Sequence, residues 1–303
     1  LANRVIHQVA PEAISIAEDM SGMPGVASPV EDGGMGFDYR MNMGTPDYWI
    51  KLLKEKRDEE WHVGDLFYEL TNKREEEHTI SYAESHDQAL VGDKTIFFRL
   101  VDKAVYTSMS VFDSNVIVDR GMALHKMIRL VTIGTAADGY LNFMGNEFGQ
   151  FTEWDYRKEL DWMLLGYEMH QKMQSYTREL NRFYLNHTAL WQIDDSWDGY
   201  QWIQPDEQDL SIIAFRRIDK AGRELLVICN FTPVLREDLR LGVPKPGTYV
   251  PVFTSDAAKF GGGGYGSAPA ESEEIPFREY ALSAMFRVPP MSITFFTCRE
   301  AEQ

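Results

Sequence analysis

Three carboxylates stand toward the ends of short apolar segments in which the sequence predicts β-strands. They are Glu18, Asp87 and Glu147, in segments 13–19 (AISIAED), 78–90 (HTISYAESHDQAL) and 140–149 (YLNFMGNEFG). In a barrel of parallel strands the catalytic groups come from the C-terminal ends of different strands, and carboxylates placed there can donate and accept protons. The alternative is that each acid caps the helix that follows it. The repetition at three strand ends favours a shared site.

The elements that would position these acids alternate along the first half of the chain. Segment 37–44 predicts a further strand, and segments 47–61 and 119–134 carry apolar residues at helical spacing. Segment 166–193 is helical in pattern and rich in Tyr, Met and Leu, so we expect it to pack outside the barrel. Strands that alternate with helices predict parallel βα units.

The pattern changes after Trp202, where short β-rich runs are separated by Gly, Pro and Asp. The runs are LSIIAFRRI, ELLVICNFTP, TYVPVFTSD, REYALSAMFRVPP and SITFFTCRE. They predict an antiparallel sandwich of about 100 residues. The glycine-rich segment 260–269 (FGGGGYGSAP) lacks a following Lys-Ser/Thr and helix, so we expect a mobile hairpin loop and not a phosphate-binding loop.

The bulk composition restricts the partners. The formal net charge of −17 argues against nucleic acid and against an anionic membrane surface, and it is compatible with a neutral sugar polymer. No apolar run approaches the roughly 20 residues that span a bilayer. Cys229 and Cys298 have no paired or metal-type spacing and are expected to be small buried hydrophobes in a reducing compartment.

The opening residues, Leu1 to Arg4, lead directly into a helix-like pattern without a Met or a cap. We therefore expect no signal peptide, a cytoplasmic location, and a start within a longer protein.

Four motifs resemble the second half of the glycogen or 1,4-α-glucan branching enzymes of glycoside hydrolase family 13. They are ISIAEDMSGMP, GFDYRMNM, YAESHDQALVGDK and YLNFMGNEFGQFTEWD. Two further motifs, LVICNFTPV and FTSDAAKFGGGG, resemble the C-terminal β domain of that family. The resemblance implies an α/β plus all-β fold. Residues 1–195 would form strands five to eight of a (β/α)8 TIM barrel, and residues 196–303 a C-terminal antiparallel β-sandwich of α-amylase type.

The resemblance also implies roles for individual residues. Glu18 would be the general acid/base, Asp87 the acid that stabilises the transition state, and His86 a sugar contact, although His86 could instead be a packing residue. A retaining reaction needs an acid with a raised pKa, and the apolar strand before Glu18 could supply the burial that raises it. Glu147 becomes a hydrogen-bonding residue, because the family has no fourth catalytic acid there.

The aromatic residues leave more alternatives open. Trp49 could stack on a sugar ring in an acceptor site or pack within its helix. Trp154, Trp162 and Trp191 are expected in the core or between domains.

No Arg-Phe-Asp motif precedes Glu18, although the family's nucleophile is an aspartate in such a motif. The resemblance places that nucleophile upstream of Leu1, so this chain alone is expected to be inactive. Four parallel strands do not close a barrel, and we expect an N-terminal half-barrel or self-association to complete the fold.

The leading interpretation is a branching enzyme that transfers an α-1,4-glucan segment to a 6-hydroxyl in glycogen biosynthesis. The alternatives are an amylase or debranching hydrolase of the same family, and a non-catalytic glucan-binding or assembly protein. The expected partner is an α-glucan such as glycogen or amylose. No metal or organic cofactor is expected, because no His/Cys cluster or calcium-type loop is evident.

Overall fold

The computed structural model describes residues 1–72, 74, 76–91, 94–113, 115–135, 139–152, 154–193 and 196–300, with the backbone alone at 89–91 and 205–206. Within that part of the chain, a parallel four-stranded sheet with its helices precedes an antiparallel eight-stranded sheet. The predicted fold class is confirmed by this architecture. The predicted boundary between residues 195 and 196 stays a prediction, since both Asp194 and Asp195 lie outside the described residues.

The first sheet has the order β1-β2-β3-β4, and all three pairings are parallel. Its strands are β1 Ile16–Ala17, β2 Tyr39–Met41, β3 Thr79–Ser81 and β4 Gly139–Tyr140. The helices are α1 Ala2–Val9, α2 Gly44–Glu55, α3 Val63–Thr71, α4 His86–Val91, α5 Ile96–Val101, α6 Val116–Gly134 and α7 Glu168–Asn186.

All four predicted strands exist, but each is shorter than predicted. Segment 78–90 divides, since the chain leaves the sheet after Ser81 and a helix begins at His86. Asp87 therefore lies in the first turn of α4 and not on a strand. Glu147 likewise lies in a 3₁₀ turn, residues 146–148, beyond the end of β4. In barrels of parallel strands the loops that follow the strands carry the functional groups.

The centre of this half is α6, which is buried over most of its length. Asn115 caps its first turn by accepting hydrogen bonds from the backbone N–H groups of Ile117 and Val118. Even its polar side chains His125, Lys126 and Arg129 are about 1% exposed. A helix buried on both sides can connect two layers, and α6 packs between the parallel sheet's helices and the second sheet.

The second sheet has the order β5-β6-β7-β12-β9-β10-β11-β8, and its pairings are antiparallel. Its strands are β5 Tyr200–Glu207, β6 Ile212–Ile218, β7 Glu224–Asn230, β8 Arg236–Val243, β9 Thr248–Thr254, β10 Ala270–Glu273, β11 Leu282–Val288 and β12 Ser292–Arg299. The five predicted runs correspond to β6, β7, β9, β11 and β12. The remaining three strands were not predicted.

Strand β6 shows how the two halves share a core. Ile213 and Phe215 belong to the cluster that includes α6 and α7, whereas Ile212 and Ala214 belong to a separate cluster inside the β domain. Neighbouring residues of a strand point to opposite faces. Both faces of β6 are therefore covered, which explains its apolar run from Ile212 to Phe215.

Two buried cations join the halves. Nζ of Lys126 on α6 donates to the carbonyls of Ser255 and Phe260 at 2.8 and 3.1 Å. From the β domain, Nη1 of Arg217 donates to the carbonyl of Gly134 at 2.8 Å. Burial lowers the pKa of Lys126 to about 8, while nearby Asp256 acts in the opposite direction. Leaving such a buried donor unpaired costs free energy. These hydrogen bonds therefore hold the two halves in one relative position.

The glycine-rich segment 260–269, predicted to be mobile, wraps around the carboxylate of Asp256. That carboxylate accepts backbone N–H hydrogen bonds from Gly263 at 2.9 Å and Tyr265 at 2.7 Å. A Cβ on Gly262 would lie 2.1 Å from the carbonyl oxygen of Asp256, so only glycine fits there. The loop is therefore held in an ordered turn, and its backbone N–H groups already donate to the carboxylate of Asp256.

One face of the parallel sheet remains open. Ile14 and Ile16 are 66% and 49% exposed, although they belong to the apolar run that forms β1. Among the described helices, none combines the length and hydrophobicity that crossing a bilayer requires.

Candidate active site

Glu18 directly follows β1 and is exposed at the C-terminal edge of the parallel sheet. The parallel pairing of β1 with β2 places Ala17 opposite Arg40. This register fixes the position of Glu18 along the direction of the strands. The burial that the sequence analysis expected around Glu18 is not supplied by this chain, since Ile14 and Ile16 are exposed as well. Its placement therefore depends on the loop that follows it.

Arg40 on β2 holds that loop. Nη2 of Arg40 lies 3.0 Å from the carboxylate of Asp19, and Nη1 lies 2.8 Å from Glu77 and donates to the carbonyl of Met23 at 2.9 Å. The side chain of Arg40 is 9% exposed and that of Glu77 is 0% exposed. Hydrogen bonds from Ser21, followed by the charge of Arg40, lower the pKa of Asp19. Glu18 is thus followed directly by Asp19, whose ionised carboxylate is held in place by Arg40.

Asp87 and His86 open α4, and Gln88 braces the turn that carries them. Oε1 of Gln88 accepts hydrogen bonds from the backbone N–H and the hydroxyl of Ser85, at 2.8 and 2.9 Å. Nε2 of His86 lies 3.3 Å from Oδ1 of Asp87, and the two side chains are 48% and 39% exposed. Both groups can therefore reach a ligand in the open cleft.

Beneath this turn lies a fully buried carboxylate, Glu84. It accepts the backbone N–H of Ile96 at 2.8 Å and so ties the start of α5 to the end of β3. Burial raises the pKa of Glu84 to about 7, against the opposing effects of its hydrogen bonds and of Arg129 and Arg99. This residue supports the loop from below and does not face the cleft.

A buried tyrosine shows that the acids converge. Tyr82 is 1% exposed, and its pKa is raised first by burial and then by the negative charges of Asp87, Asp47 and Glu18. Three carboxylates from three successive βα loops thus act on one phenol. A cavity of about 430 Å³ lined by Met20, Asp47 and Asp87 shows that the loops after β1, β2 and β3 meet at this edge of the sheet.

Asp47 was not among the predicted site residues. It lies in the first turn of α2, and its carboxylate accepts a hydrogen bond from Nε2 of Gln88 at 3.4 Å. A cavity of about 430 Å³ brings Asp47 together with Asp87 and Gln88. The criterion that selected the other acids, a carboxylate shortly after a strand end, also describes Asp47.

Trp49 is not available to a sugar, which corrects the predicted substrate contact. Its side chain is 0% exposed, and Nε1 donates to Oγ1 of Thr132 at 3.1 Å. The ring packs against Trp61, with ring centroids 6.0 Å apart. The helical spacing that places Trp49 on α2 also turns it toward the core, so it is a packing residue.

The other tryptophans also differ from expectation. Trp162 and Trp191 are 47% and 40% exposed, so neither is a core residue, and a position between domains stays a prediction. Trp154 is half-buried, and its ring centroid lies 5.3 Å from that of His86. No spacing in the sequence relates Trp154 to His86, because loops far apart in the chain bring them together. Glu147 accepts the backbone N–H of Gly145 at 2.7 Å, and it stays outside the convergent group.

The groups of this site that can take part in chemistry are its carboxylates and the imidazole of His86. Within the residues that the structure describes, no group of three or more His, Cys, Asp or Glu side chains is arranged to hold a metal ion. Carboxylates on separate loops around an open cleft are suited to proton transfer and to stabilising a cationic transition state.

The comparisons with known proteins first define the class. Residues 202–299 match the family described as alpha amylase, C-terminal all-beta domain. A debranching enzyme of Nostoc punctiforme resembles the fold with a TM-score of 0.61 at 14% identity, over 96% of this chain and 53% of that chain. The catalytic module of the glycogen-degrading pneumococcal virulence factor SpuA does so with a TM-score of 0.64 at 14% identity, over 98% and 49%. The chain therefore shares its fold with these two structures, and residues 202–299 match the C-terminal all-beta domain of the alpha-amylase class.

Sequence relatives then define the family. A 1,4-alpha-glucan-branching enzyme of Yarrowia lipolytica is 48% identical over 83% of this chain and 37% of its own length. Those of Arabidopsis thaliana and Felis catus are 45% and 43% identical over 86% of this chain, and 34% and 38% of their own lengths. The chain belongs to the 1,4-α-glucan-branching enzyme family. It spans little more than a third of the length of these relatives.

Proposed function

We propose that this chain supplies the acid/base and the transition-state-stabilising carboxylate of a 1,4-α-glucan branching reaction. The relatives are named as branching enzymes, and an α-1,4-glucan is the proposed substrate. The observation that carries the proposal is the cavity of about 430 Å³ that brings Met20, two residues after Glu18, together with Asp47 and Asp87.

In the proposed reaction, Glu18 protonates the glycosidic oxygen as an α-1,4 bond breaks. It then takes the proton from the 6-hydroxyl of an acceptor chain as the α-1,6 bond forms. The exposure of Glu18 leaves it accessible to both donor and acceptor. The nucleophile that would hold the donor segment covalently is not assigned to any of the 303 residues.

Asp87 and His86 act on the sugar itself. The ionised carboxylate of Asp87 stabilises the positive charge that develops on the glucosyl ring. His86, held 3.3 Å from Asp87, donates a hydrogen bond to a hydroxyl of the same ring. Asp47 lies between the two loops and is proposed to orient Gln88 and the acceptor side of the cleft.

A chimera tests this proposal directly. The chain would replace the matching part of the Yarrowia lipolytica relative, and the purified chimera would be incubated with amylose. We expect a fall in iodine colour, new α-1,6 linkages by NMR and few new reducing ends. Reducing ends without branches would instead identify a hydrolase.

Single variants of the chimera assign the roles. Glu18→Gln and Asp87→Asn are each expected to lower the rate by at least about 100-fold, as loss of an acid–base or charge-stabilising group does. Glu31→Gln replaces an exposed acid outside the cleft and serves as the control. Equal rates for Glu18→Gln and Glu31→Gln would contradict the assignment of Glu18.

A further inference from the structure

Glu84 closes the base of the chain segment that carries His86 and Asp87. The segment leaves the parallel sheet after β3 and returns to the core at Ile96, the first residue of α5. Oε2 of Glu84 accepts the backbone N–H of Ile96 at 2.8 Å, although the two residues are 12 positions apart in the sequence. Glu84 and Ile96 are each 1% exposed, whereas the side chains of His86 and Asp87 are 48% and 39% exposed. One buried hydrogen bond therefore joins the two ends of a segment that presents its functional groups to solvent.

A short series of buried contacts leads from Glu84 to Asp87. Ser85, the next residue, accepts the backbone N–H of Asp87 on its hydroxyl oxygen at 3.3 Å. The same hydroxyl donates to Oε1 of Gln88 at 2.9 Å. Ser85 and Gln88 are 9% and 7% exposed, so these contacts are held inside the protein. A displacement of Glu84 would therefore move Ser85 and, with it, the backbone of Asp87.

The charge of Glu84 is costly to the fold. Burial raises the pKa of Glu84 to about 7, against hydrogen bonds to its carboxylate and the charges of Arg129 on α6 and Arg99 on α5. At pH values above about 7 the folded chain therefore keeps an ionised group where a neutral one would be more stable. An ionised acceptor has one advantage over a neutral one, because it makes a shorter and stronger hydrogen bond to a backbone N–H.

We propose that Glu84 is a positioning residue for Asp87, whose carboxylate holds the start of α5 against the turn after β3 and so fixes where Asp87 meets the sugar. The inference rests on the proposed function, in which Asp87 stabilises the charge on the glucosyl ring. Glu84 does not touch the substrate, since it is 1% exposed. In this arrangement the fold gives up stability for a fixed active-site geometry, and small displacements of such groups slow catalysis strongly.

The test compares Glu84→Gln with the unaltered sequence in the chimera described above, at pH 8. We expect the variant to resist urea better and yet to have a kcat lowered by about tenfold, with KM changed by less than about twofold. KM is expected to stay because Glu84 makes no contact with the glucan. A merely structural residue would change stability and kcat in the same direction. A Glu84→Gln chimera with unchanged kcat would overturn the inference.

The pH dependence of kcat gives a second measurement. Protonation makes the unaltered carboxyl resemble the amide of Glu84→Gln, so the ratio of the two kcat values should approach one as the pH falls below about 7. The groups whose charges act on Glu84, Arg99 and Arg129, stay charged over this range. A ratio that is the same between about pH 5 and pH 8 would contradict the role of the ionised carboxylate.

Asp219 supplies the matched control in the β domain. It is 2% exposed, and its carboxylate accepts the backbone N–H groups of Ala221 and Arg223, each at 2.9 Å. Asp219→Asn thus neutralises a second buried carboxylate that holds a turn, far along the chain from the cleft. We expect it to reduce resistance to urea and to leave kcat unchanged. A fall in kcat equal to that of Glu84→Gln would show that the effect is one of general stability, and would overturn the inference.

Amide NMR signals of this chain separate the inference from the proposed function. With Glu84 intact, the signals of Ile96 and Asp87 should share a transition near pH 7 that Glu84→Gln removes from both. A chimera that forms no α-1,6 linkages would contradict the branching role, and this shared transition would still support the coupling of Glu84 to Asp87. A transition at Ile96 with none at Asp87 would overturn the coupling, whatever the chimera does.

Discussion

Arg40 and Asp19 form an ion pair of 3.0 Å that joins the second strand of the parallel sheet to the residue after Glu18. The same guanidinium pairs with Glu77, which has a fully buried side chain, at 2.8 Å. A single cation therefore connects the loops that follow β1 and precede β3. This connection fixes the loop that carries the proposed acid/base, although Glu18 itself is exposed.

Removal of Arg40 should cost both stability and activity. Arg40→Met leaves the buried carboxylate of Glu77 without its cation, so the free energy of unfolding is expected to fall by about 3–5 kcal/mol. Urea denaturation measures this loss. Adding Glu77→Gln should recover part of it, because the uncompensated charge is gone. If Arg40→Met alone were as stable as the unaltered chain, the ion pairs would not be holding the loop.

Trp49 should contribute to stability and not to sugar binding. Trp49→Ala empties a core site and is expected to lower the free energy of unfolding by about 3–5 kcal/mol. Trp49→Phe should be milder, since Thr132 still donates to the carbonyl of Ile128 at 2.7 Å. Neither change should alter maltoheptaose affinity in the folded protein, as measured by calorimetry below the melting temperature. An affinity lost with Trp49→Phe would reinstate Trp49 as a sugar contact.

Glu84 should make stability depend on pH between 4.5 and about 7. Its pKa is raised by burial from 4.5 to about 7, so the folded chain binds a proton there that the unfolded chain has released. The contribution of Glu84 is therefore fully present below pH 4.5 and is lost as the pH rises through about 7.

The matched variant for this dependence is Glu84→Gln, which keeps an acceptor for Ile96 and cannot ionise. Relative to this variant, the unaltered chain is expected to lose about 2–3 kcal/mol between pH 4.5 and pH 8, at 1.36 kcal/mol per pKa unit. Urea titrations at several pH values measure the difference. Parallel curves for the two proteins would contradict the raised pKa.

The glycine-rich loop should tolerate no side chain at its centre. Gly262→Ala would place a methyl group 2.1 Å from the backbone oxygen of Asp256 and is expected to destabilise the β domain by several kcal/mol. Gly166→Ala is the control, because a Cβ there meets nothing within 4 Å. Thermal unfolding followed by circular dichroism compares the two. Similar melting temperatures would mean that the loop can move away from Asp256.

The apolar runs predicted the buried strands well and the edge strand poorly. Strands β6 and β12 are buried on both faces, and their apolar residues, Ile212 to Phe215 in β6 and Ile293, Phe295 and Phe296 in β12, make them easily recognised. Strand β8 has exposed Glu237 and Asp238, and Leu239, Leu241 and Val243 give it an apolar face. Its mixed composition resembles a loop, because an edge strand gains its structure from pairing with β11.

The candidate acids were selected for a similar reason. Each lies in or just after a short apolar run, and parallel strands bring their C-terminal ends to one edge of a sheet. The break at His86 was not predictable from periodicity, since Tyr82 to Ser85, which follow β3, are buried like the strand itself although Glu84 and Ser85 are polar.

The sequence alone determined the alternation of strands and helices, the β-rich second half and the family resemblance, because these follow from local patterns of burial and from motif identity. Only the tertiary structure decided that Trp49 is a core residue and that Trp154 lies against His86. A helical position specifies which face of α2 a ring occupies, but not whether that face meets solvent or another helix. Contacts between residues far apart in the chain depend on how the loops pack, and no local periodicity records them.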